Sequence, residues 1–212
     1  MTSSTREASR QELDPADPST RARILREAAT LFRTRGFAST TMRNIAAAAG
    51  LTPGALYWHF PSKEAILYNI IVALSDEWHA EIAEVAKAPT PRERVLRFVR
   101  QQVMWELRLA DEGHALLAVH GPDQLKQFLN PEQRAWVTGR QKEHYDFLER
   151  AIRDGIAEGS FRSFDASIAA HAIYGMGTYA PRWWNPGEDI DVAALAAGHE
   201  DLVLRMLARG DS

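Results

Sequence analysis

Residues 36–63 read GFASTTMRNIAAAAGLTPGALYWHFPSK, and the reading of this stretch decides the fold. Thr40 or Thr41 opens a short helix that runs through Ala48 and is ended by Gly50. Thr52 opens a second, still shorter helix with Pro53 at its first position. A threonine hydroxyl accepts from the unpaired N–H groups of a helix start, and the fixed φ of proline suits the first helical turn. Ile45, Ala46, Ala49, Leu51, Leu56 and Phe60 are the small or apolar positions that face inward, while Gly50 supplies the positive φ of a tight turn. Two short helices joined across Ala49-Gly50-Leu51 form a helix-turn-helix whose second member is short enough to lie in a DNA major groove.

A bare helical hairpin with a glycine turn is common; the order of residues here says more. A threonine opens helix two (Thr41), followed by Ile45-Ala46, the turn at Gly50, the run Thr52-Pro53-Gly54-Ala55-Leu56-Tyr57-Trp58-His59-Phe60, and then Lys63-Glu64. In these offsets the stretch resembles the DNA-binding domain of the TetR family of bacterial repressors, and the resemblance covers residues 20–68. It implies a double-stranded operator as partner, with Tyr57, His59 and Lys63 at phosphate-contacting positions. Such contacts set register and salt dependence rather than sequence preference. The residues themselves add to this. Thr41 and Thr52 can each offer a hydroxyl and an amide to a phosphate at a helix N-terminus, where the helix dipole favours an anion. Gly54 lets the backbone approach the groove beside Pro53, and Ala55 can meet a thymine methyl. Arg43 is the long basic side chain of helix two and is assigned to a base edge or a phosphate. Trp58 either covers the sugar-phosphate backbone beside Tyr57 or packs against helix one. No Arg, Asn or Gln lies between Thr52 and Phe60, so specificity is expected to lean on apolar contacts, Arg43 and DNA shape.

Outward from this segment, every long stretch has the helical period. Ile24, Ala28, Leu31 and Phe32 share one face of a first helix over about 20–35, closed by Gly36. A fourth helix opens at Ser62 and carries Ile66, Ile70, Leu74 and Trp78 until Pro89 and Pro91 stop it. Further helices are expected at about 92–110, 114–128, 131–158, 165–184 and 191–209, with breaks at Gly113, Asn130-Pro131, Gly159–Ser163 and Asn185-Pro186-Gly187. The expectation is an all-α protein of about nine helices in three parts: a disordered tail over 1–19, a helix-turn-helix domain over 20–65, and a helical ligand-binding and dimerisation domain over 66–212.

Charge divides along the same line. The net charge is −3, yet residues 20–65 carry seven Arg or Lys against two acids, while 66–212 carry 16 basic and 22 acidic residues. A basic head on an acidic body presents one end to a polyanion. The absence of cysteine excludes disulfides, thiolate metal sites and a cysteine nucleophile. The uncharged stretch over residues 166–181 holds 16 residues including His171, Tyr174 and Gly175, short of a membrane span. Without a signal-like N-terminal apolar core the protein is expected in the cytoplasm, with no membrane partner. The pairs Asp76-x-x-His79 and Asp111-x-x-His114 put two ligand-type groups on one helix face, but the Glu-x-x-His set of a carboxylate-bridged bundle is missing. With no phosphate-cradling or nucleophile-elbow motif either, neither an enzyme nor a cofactor is expected.

The body has two further features. Small residues crowd its last two helices: Ala166, Ala169, Ala170, Ala172, Gly175, Gly177 and Ala180 in one, and Ala193, Ala194, Ala196, Ala197 and Gly198 in the other. They suit close helix approach and a homodimer through 165–184 and 191–209, which would match a palindromic operator; the resemblance implies the same placement. Between head and dimer helices lie large aromatics with histidines among them, the make-up of a small-molecule pocket. Trp105, His120, His144, His171, Tyr174 and Trp183 are its candidate lining. The runs RQKEHYDFLERAIRDGIAEGSFR at 140–162 and Arg182-Trp183-Trp184-Asn185-Pro186-Gly187 resemble repressors of fatty-acid, sterol and aromatic-acid breakdown. That resemblance implies an acyl-CoA thioester as effector, with Arg140 and Arg182 as phosphate partners. A regulator of this kind either represses or activates, depending on where its operator lies.

Overall fold

The computed structural model describes residues 18–111, 125–184 and 190–208. Among them the chain forms eight α-helices and no strand. These are α1 (Pro18–Arg35), α2 (Met42–Ala48), α3 (Pro53–His59), α4 (Lys63–Val85), α5 (Pro91–Asp111), α6 (Pro131–Ala157), α7 (Ala166–Tyr179) and α8 (Val192–Leu207). Short 3-10 turns at Lys126–Phe128 and Ala180–Arg182 precede α6 and follow α7. The tail over 1–17, most of the helix expected at 114–128, and Asn185-Pro186-Gly187 lie outside the described residues. Two compact units result, one ending at Leu67 and the other beginning at Tyr68.

In the first unit, Ile24, Ala28 and Phe32 recur every four residues on α1 and are at most 1% exposed. Ile45 and Ala46 of α2, which packs on α1, are equally buried, as are Leu56 of α3, which packs on α2, and Phe60. The helix starts follow from side-chain capping. Thr41 accepts from the Asn44 N–H, and the Asn44 side chain accepts in return from the Thr41 N–H, a reciprocal cap that satisfies two groups at once. The Thr52 hydroxyl accepts from the Ala55 N–H one residue before Pro53 takes up the first turn. Gly50 holds φ +66 between the two helices, where a side chain would be strained. Arg23 of α1 donates through Nε to the Ala49 carbonyl at 3.1 Å and braces the same turn.

In the second unit α5 is the central helix, packed against α6, α7 and α8. Its buried side chains Val95, Phe98 and Val99 join Trp78, Leu148, Ile152, Ile173 and Val203 in the main core. Val103 and Leu107 face a second cluster with Ala180, Leu195 and Ala196. Asn130, Asp165 and Asp191 cap α6, α7 and α8. At the far end of α8, Arg162 donates from its backbone N–H to the Leu207 carbonyl and from Nε to the Met206 carbonyl, using acceptors that a helix end leaves open.

Candidate nucleic-acid interface and internal cavity

The helix-turn-helix presents an outward face. Thr41, Arg43, Thr52, Pro53 and Gly54 are exposed, Ala55 is half-buried, and Tyr57 and Trp58 keep 54% and 64% of their surface. Of the two positions open to Trp58, the structure therefore gives the outward one. Both threonine hydroxyls are spent on capping, which leaves each with a second acceptor lone pair, and both residues stand exposed at their helix N-termini.

His59 and Lys63 behave differently. The Arg21 guanidinium lies 4.2 Å over the Phe60 ring and donates to the His59 carbonyl. Burial, helped by the charge on Arg21, lowers the His59 pKa from its ordinary value, so near neutral pH this side chain offers an N–H and not a cation. Lys63 turns its ammonium inward. Nζ donates to the carbonyls of Phe37 at 2.6 Å, Thr40 at 2.9 Å and Ala38 at 3.4 Å, and sits 4.3 Å over the Phe37 ring. An ammonium has three donors, and all three are engaged in closing the loop between α1 and α2.

The second unit carries an open-sided cavity of about 360 Å³. Its wall is aromatic, with Trp78 on α4, Trp105 on α5, Trp136 and Tyr145 on α6, and Tyr174 and Tyr179 on α7. Tyr145 and Tyr174 meet at a ring separation of 4.3 Å, Trp78 and Trp105 at 5.3 Å. Polar groups on the wall are few: Glu106, Gln141, Ser75, Thr178, Arg140 and Arg182. Behind Thr178 lies Gln102, 2% exposed, whose Nε2 donates to the Tyr174 carbonyl at 2.8 Å and to Thr178 Oγ1 at 3.1 Å. Burial pushes the Glu106 carboxyl up to about 8, against a smaller opposing hydrogen bond with Thr178, so it is protonated at neutral pH.

Of the residues assigned to a pocket from sequence, Trp105, Arg140, Tyr174 and Arg182 lie on this wall, and His144, His171 and Trp183 do not. His120 falls outside the described residues. His171, on the exposed side of α7, directs Nδ1 to the Ser167 carbonyl at 2.8 Å and stacks on Tyr145 at 4.7 Å. His144 is buried edge-on against Trp78 at 6.0 Å, and burial drives its pKa down to about 4, which keeps it neutral. Trp183 stands 45% exposed beyond the end of α7. Arg140 already pairs with Asp76 at 2.8 Å and Glu143 at 3.2 Å and lies 5.4 Å over Trp136, so its charge is largely answered within the protein. Asp76 and His79 are drawn into the same network, His79 Nδ1 lying 3.4 Å from Arg140. Among the described residues no group of three His, Asp or Glu side chains could hold a metal ion. Asp111-x-x-His114 extends outside the described residues.

Glu106 and Thr178 were not among the sequence candidates. The available signal was periodicity: on α5 the inward positions Val95, Phe98, Val99 and Val103 are apolar, and Gln102 and Glu106 interrupt that face one turn apart. A polar pair on an inward helix face has to be satisfied by partners or by a ligand.

Comparison with known proteins agrees with the geometry. Residues 24–70 match the family described as "Bacterial regulatory proteins, tetR family", and residues 88–207 match "Tetracyclin repressor-like, C-terminal domain". The chain is 30% identical over 189 residues to the HTH-type transcriptional repressor KstR2 of Rhodococcus jostii (strain RHA1), spanning 89% of this chain and 91% of that one. Among solved structures, a tetR-family bacterial regulatory protein from Rhodococcus RHA1 superposes with a TM-score of 0.78 at 30% identity, covering 92% of this chain and 100% of that one. AibR, solved in complex with isovaleryl coenzyme A and operator DNA, superposes with a TM-score of 0.75 at 27% identity, covering 89% and 98%.

Proposed function

This chain belongs to the TetR family of bacterial regulatory proteins, and from that premise we propose that it is a homodimeric repressor that holds a palindromic operator and releases it when an apolar or amphiphilic effector, an acyl-CoA thioester, enters the second unit. As a member of that family it is a DNA-binding transcriptional regulator and not an enzyme. No helix among the described residues is long and apolar enough to cross a membrane, and we place the protein on DNA in the cytoplasm.

The observation that carries the effector reading is the aromatic cavity of about 360 Å³, within the range of small-molecule sites. That space suits an acyl group and not a whole coenzyme, so the phosphates of a thioester belong outside it. Arg182, exposed and on the cavity wall, and Arg140, on the same wall beside Asp76 and Glu143, are the cationic side chains at hand for those phosphates. Similarity to AibR, solved with isovaleryl coenzyme A, supports the same class.

DNA contact is assigned to Thr41, Arg43, Thr52, Pro53, Gly54, Ala55, Tyr57, Trp58 and His59, with Lys63 holding the loop behind them. Dimerisation is assigned to the outward faces of α7 and α8. Ile168 and Leu202 are 70% and 59% exposed there, among exposed Ala172, Ala193, Ala194, Ala197 and Gly198. Helix α4 starts at Lys63 and supplies Ile71, Leu74, Ser75 and Trp78 to the cavity wall, so an effector acts through that helix. It must bind the DNA-incompetent state more tightly than the competent one, since equal affinity shifts nothing.

The test is selection of bound duplexes at a stated salt concentration, then a mobility shift of the selected DNA with a panel of acyl-CoA thioesters. The reading expects one palindrome and its release by at least one thioester. Retention across the whole panel overturns the thioester assignment, and recovery of non-palindromic single sites overturns the dimer.

A further inference from the structure

The cavity holds a polar group that its aromatic wall does not require. Glu106 lines the space together with Trp105, Leu109 and Tyr174, and it hydrogen-bonds with Thr178, itself held by Gln102 and by the Tyr174 carbonyl. A carboxyl placed there without a countercharge is costly in its ionised form, and the stable form is the neutral acid, which both donates and accepts. Trp78, also a residue of this wall, has a buried indole N–H with no hydrogen-bond partner. Of the two cationic side chains on the wall, Arg140 is answered by Asp76 and Glu143 and Arg182 is exposed to solvent, so neither gives an enclosed ion a desolvated countercharge. Its volume, about 360 Å³, is roughly twice that of a cavity that takes up one benzene ring.

Resting on the reading of this cavity as the effector site, we propose that Glu106 determines its specificity: it engages an uncharged carbonyl or hydroxyl oxygen on an otherwise apolar two-ring or ten-carbon skeleton, and it turns away a free carboxylate. A thioester satisfies this rule, because its carbonyl carries no charge, whereas the corresponding free acid brings a second anion-forming group to a site that already disfavours one. An enzyme that activates acids as thioesters would therefore generate the signal, and one that hydrolyses thioesters would remove it.

The experiment uses the full chain and three matched probes, 2-acetylnaphthalene, 2-naphthoate and 2-naphthylmethylammonium, titrated calorimetrically into wild type, Glu106→Gln and Glu106→Leu. At pH 7 the ketone should bind wild type about tenfold or more tightly than either ion. Glu106→Leu should weaken the ketone by about five- to tenfold, the worth of one buried hydrogen bond, while Glu106→Gln, which keeps a donor, stays near wild type. Above pH 8 the wild type should lose ketone affinity by up to about tenfold per pH unit as the acid ionises, and Glu106→Gln should not. The other titratable groups on the wall are Arg140 and Tyr145 of α6, Tyr174 and Tyr179 of α7 and Arg182 of the following turn; α4 contributes none. They are common to wild type and variant, so the difference between the two profiles reports Glu106.

Tightest binding of the ammonium probe, lost in Glu106→Gln, would make this a cation site and overturn the proposal. Equal binding of all probes by all three proteins would overturn it too, leaving the effector cavity in place. Failure of every probe to bind wild type would remove the effector cavity and the proposal together. Binding that follows Glu106 but leaves operator DNA in place would support the proposal and refute only release.

Discussion

Two side chains that face the same partner in a sequence reading turn out to do different work. Tyr57 is 54% exposed on the recognition helix α3, so Tyr57→Ala should weaken DNA binding about tenfold on all duplexes alike and leave the melting temperature unchanged. Lys63 points inward to three carbonyls, so Lys63→Met should lower stability by about 1–3 kcal/mol, seen as an earlier thermal transition. Its DNA affinity should fall with the fraction folded, and the salt slope of binding should stay as in wild type. A variant that melts like wild type but binds with a slope smaller by about one would place the ammonium on a phosphate instead. The residue type is legible from the sequence in both cases. Its direction is not, because it depends on which carbonyls the loop after α1 leaves without partners.

At the scale of elements, the helix starts are local and the helix faces are not. Thr52 caps α3 and Pro53 begins it, so Thr52→Ala should cost about 1 kcal/mol in denaturant unfolding, and more in DNA affinity if the outward N-terminus also meets a phosphate. Capping, the positive φ at Gly50 and the four-residue period of Ile24, Ala28 and Phe32 could all be read from residue type and spacing. For α7 and α8, small residues are spread around the whole helix, and only packing separates buried Ala169, Ala170 and Ala196 from exposed Ala172, Ala193 and Ala197. On the proposed dimer, Leu202→Glu should yield a monomer by analytical ultracentrifugation and lower operator affinity by orders of magnitude while helicity is retained. A Leu202→Glu protein that remains dimeric would move the interface elsewhere.

For the whole molecule, two buried titratable groups should shape stability against pH. Glu106 has its pKa raised to about 8, so the native state holds a proton that the unfolded chain has already lost. Its contribution is present at low pH and declines as pH rises from about 4.5 to 8. His144 has its pKa lowered to about 4, so the unfolded chain takes up a proton first, and this contribution is present above about 6.5 and lost as pH falls toward 4. Between about 4.5 and 6.5 the slopes oppose each other and nearly cancel. From pH 6.5 to 8 only Glu106 acts, and stability should fall by about 2 kcal/mol. Denaturant unfolding of wild type and Glu106→Gln over this range checks it: the decline should disappear in the variant. An unchanged decline would assign it to other groups.

What the amino-acid sequence determined by itself was whatever rests on local chemistry. The all-helical class, the capped helix-turn-helix at 41–59 and the separation of basic head from acidic body follow from neighbouring residues, because caps, turns and hydrophobic periods act over one or two helical turns. Trp105 and Tyr174 were named by residue type and Arg140 and Arg182 by the resemblance, and all four line the cavity, since an aromatic cavity draws on abundant aromatics. Only the tertiary structure turned His171 outward onto Tyr145, buried His144 against Trp78, committed Arg140 to Asp76 and Glu143, and brought Glu106 of α5 to Thr178 of α7. Each of these depends on the rotation of one helix against another, and no spacing along a single helix encodes that rotation. The desolvation that protonates Glu106 arises only when helices distant in sequence close around it.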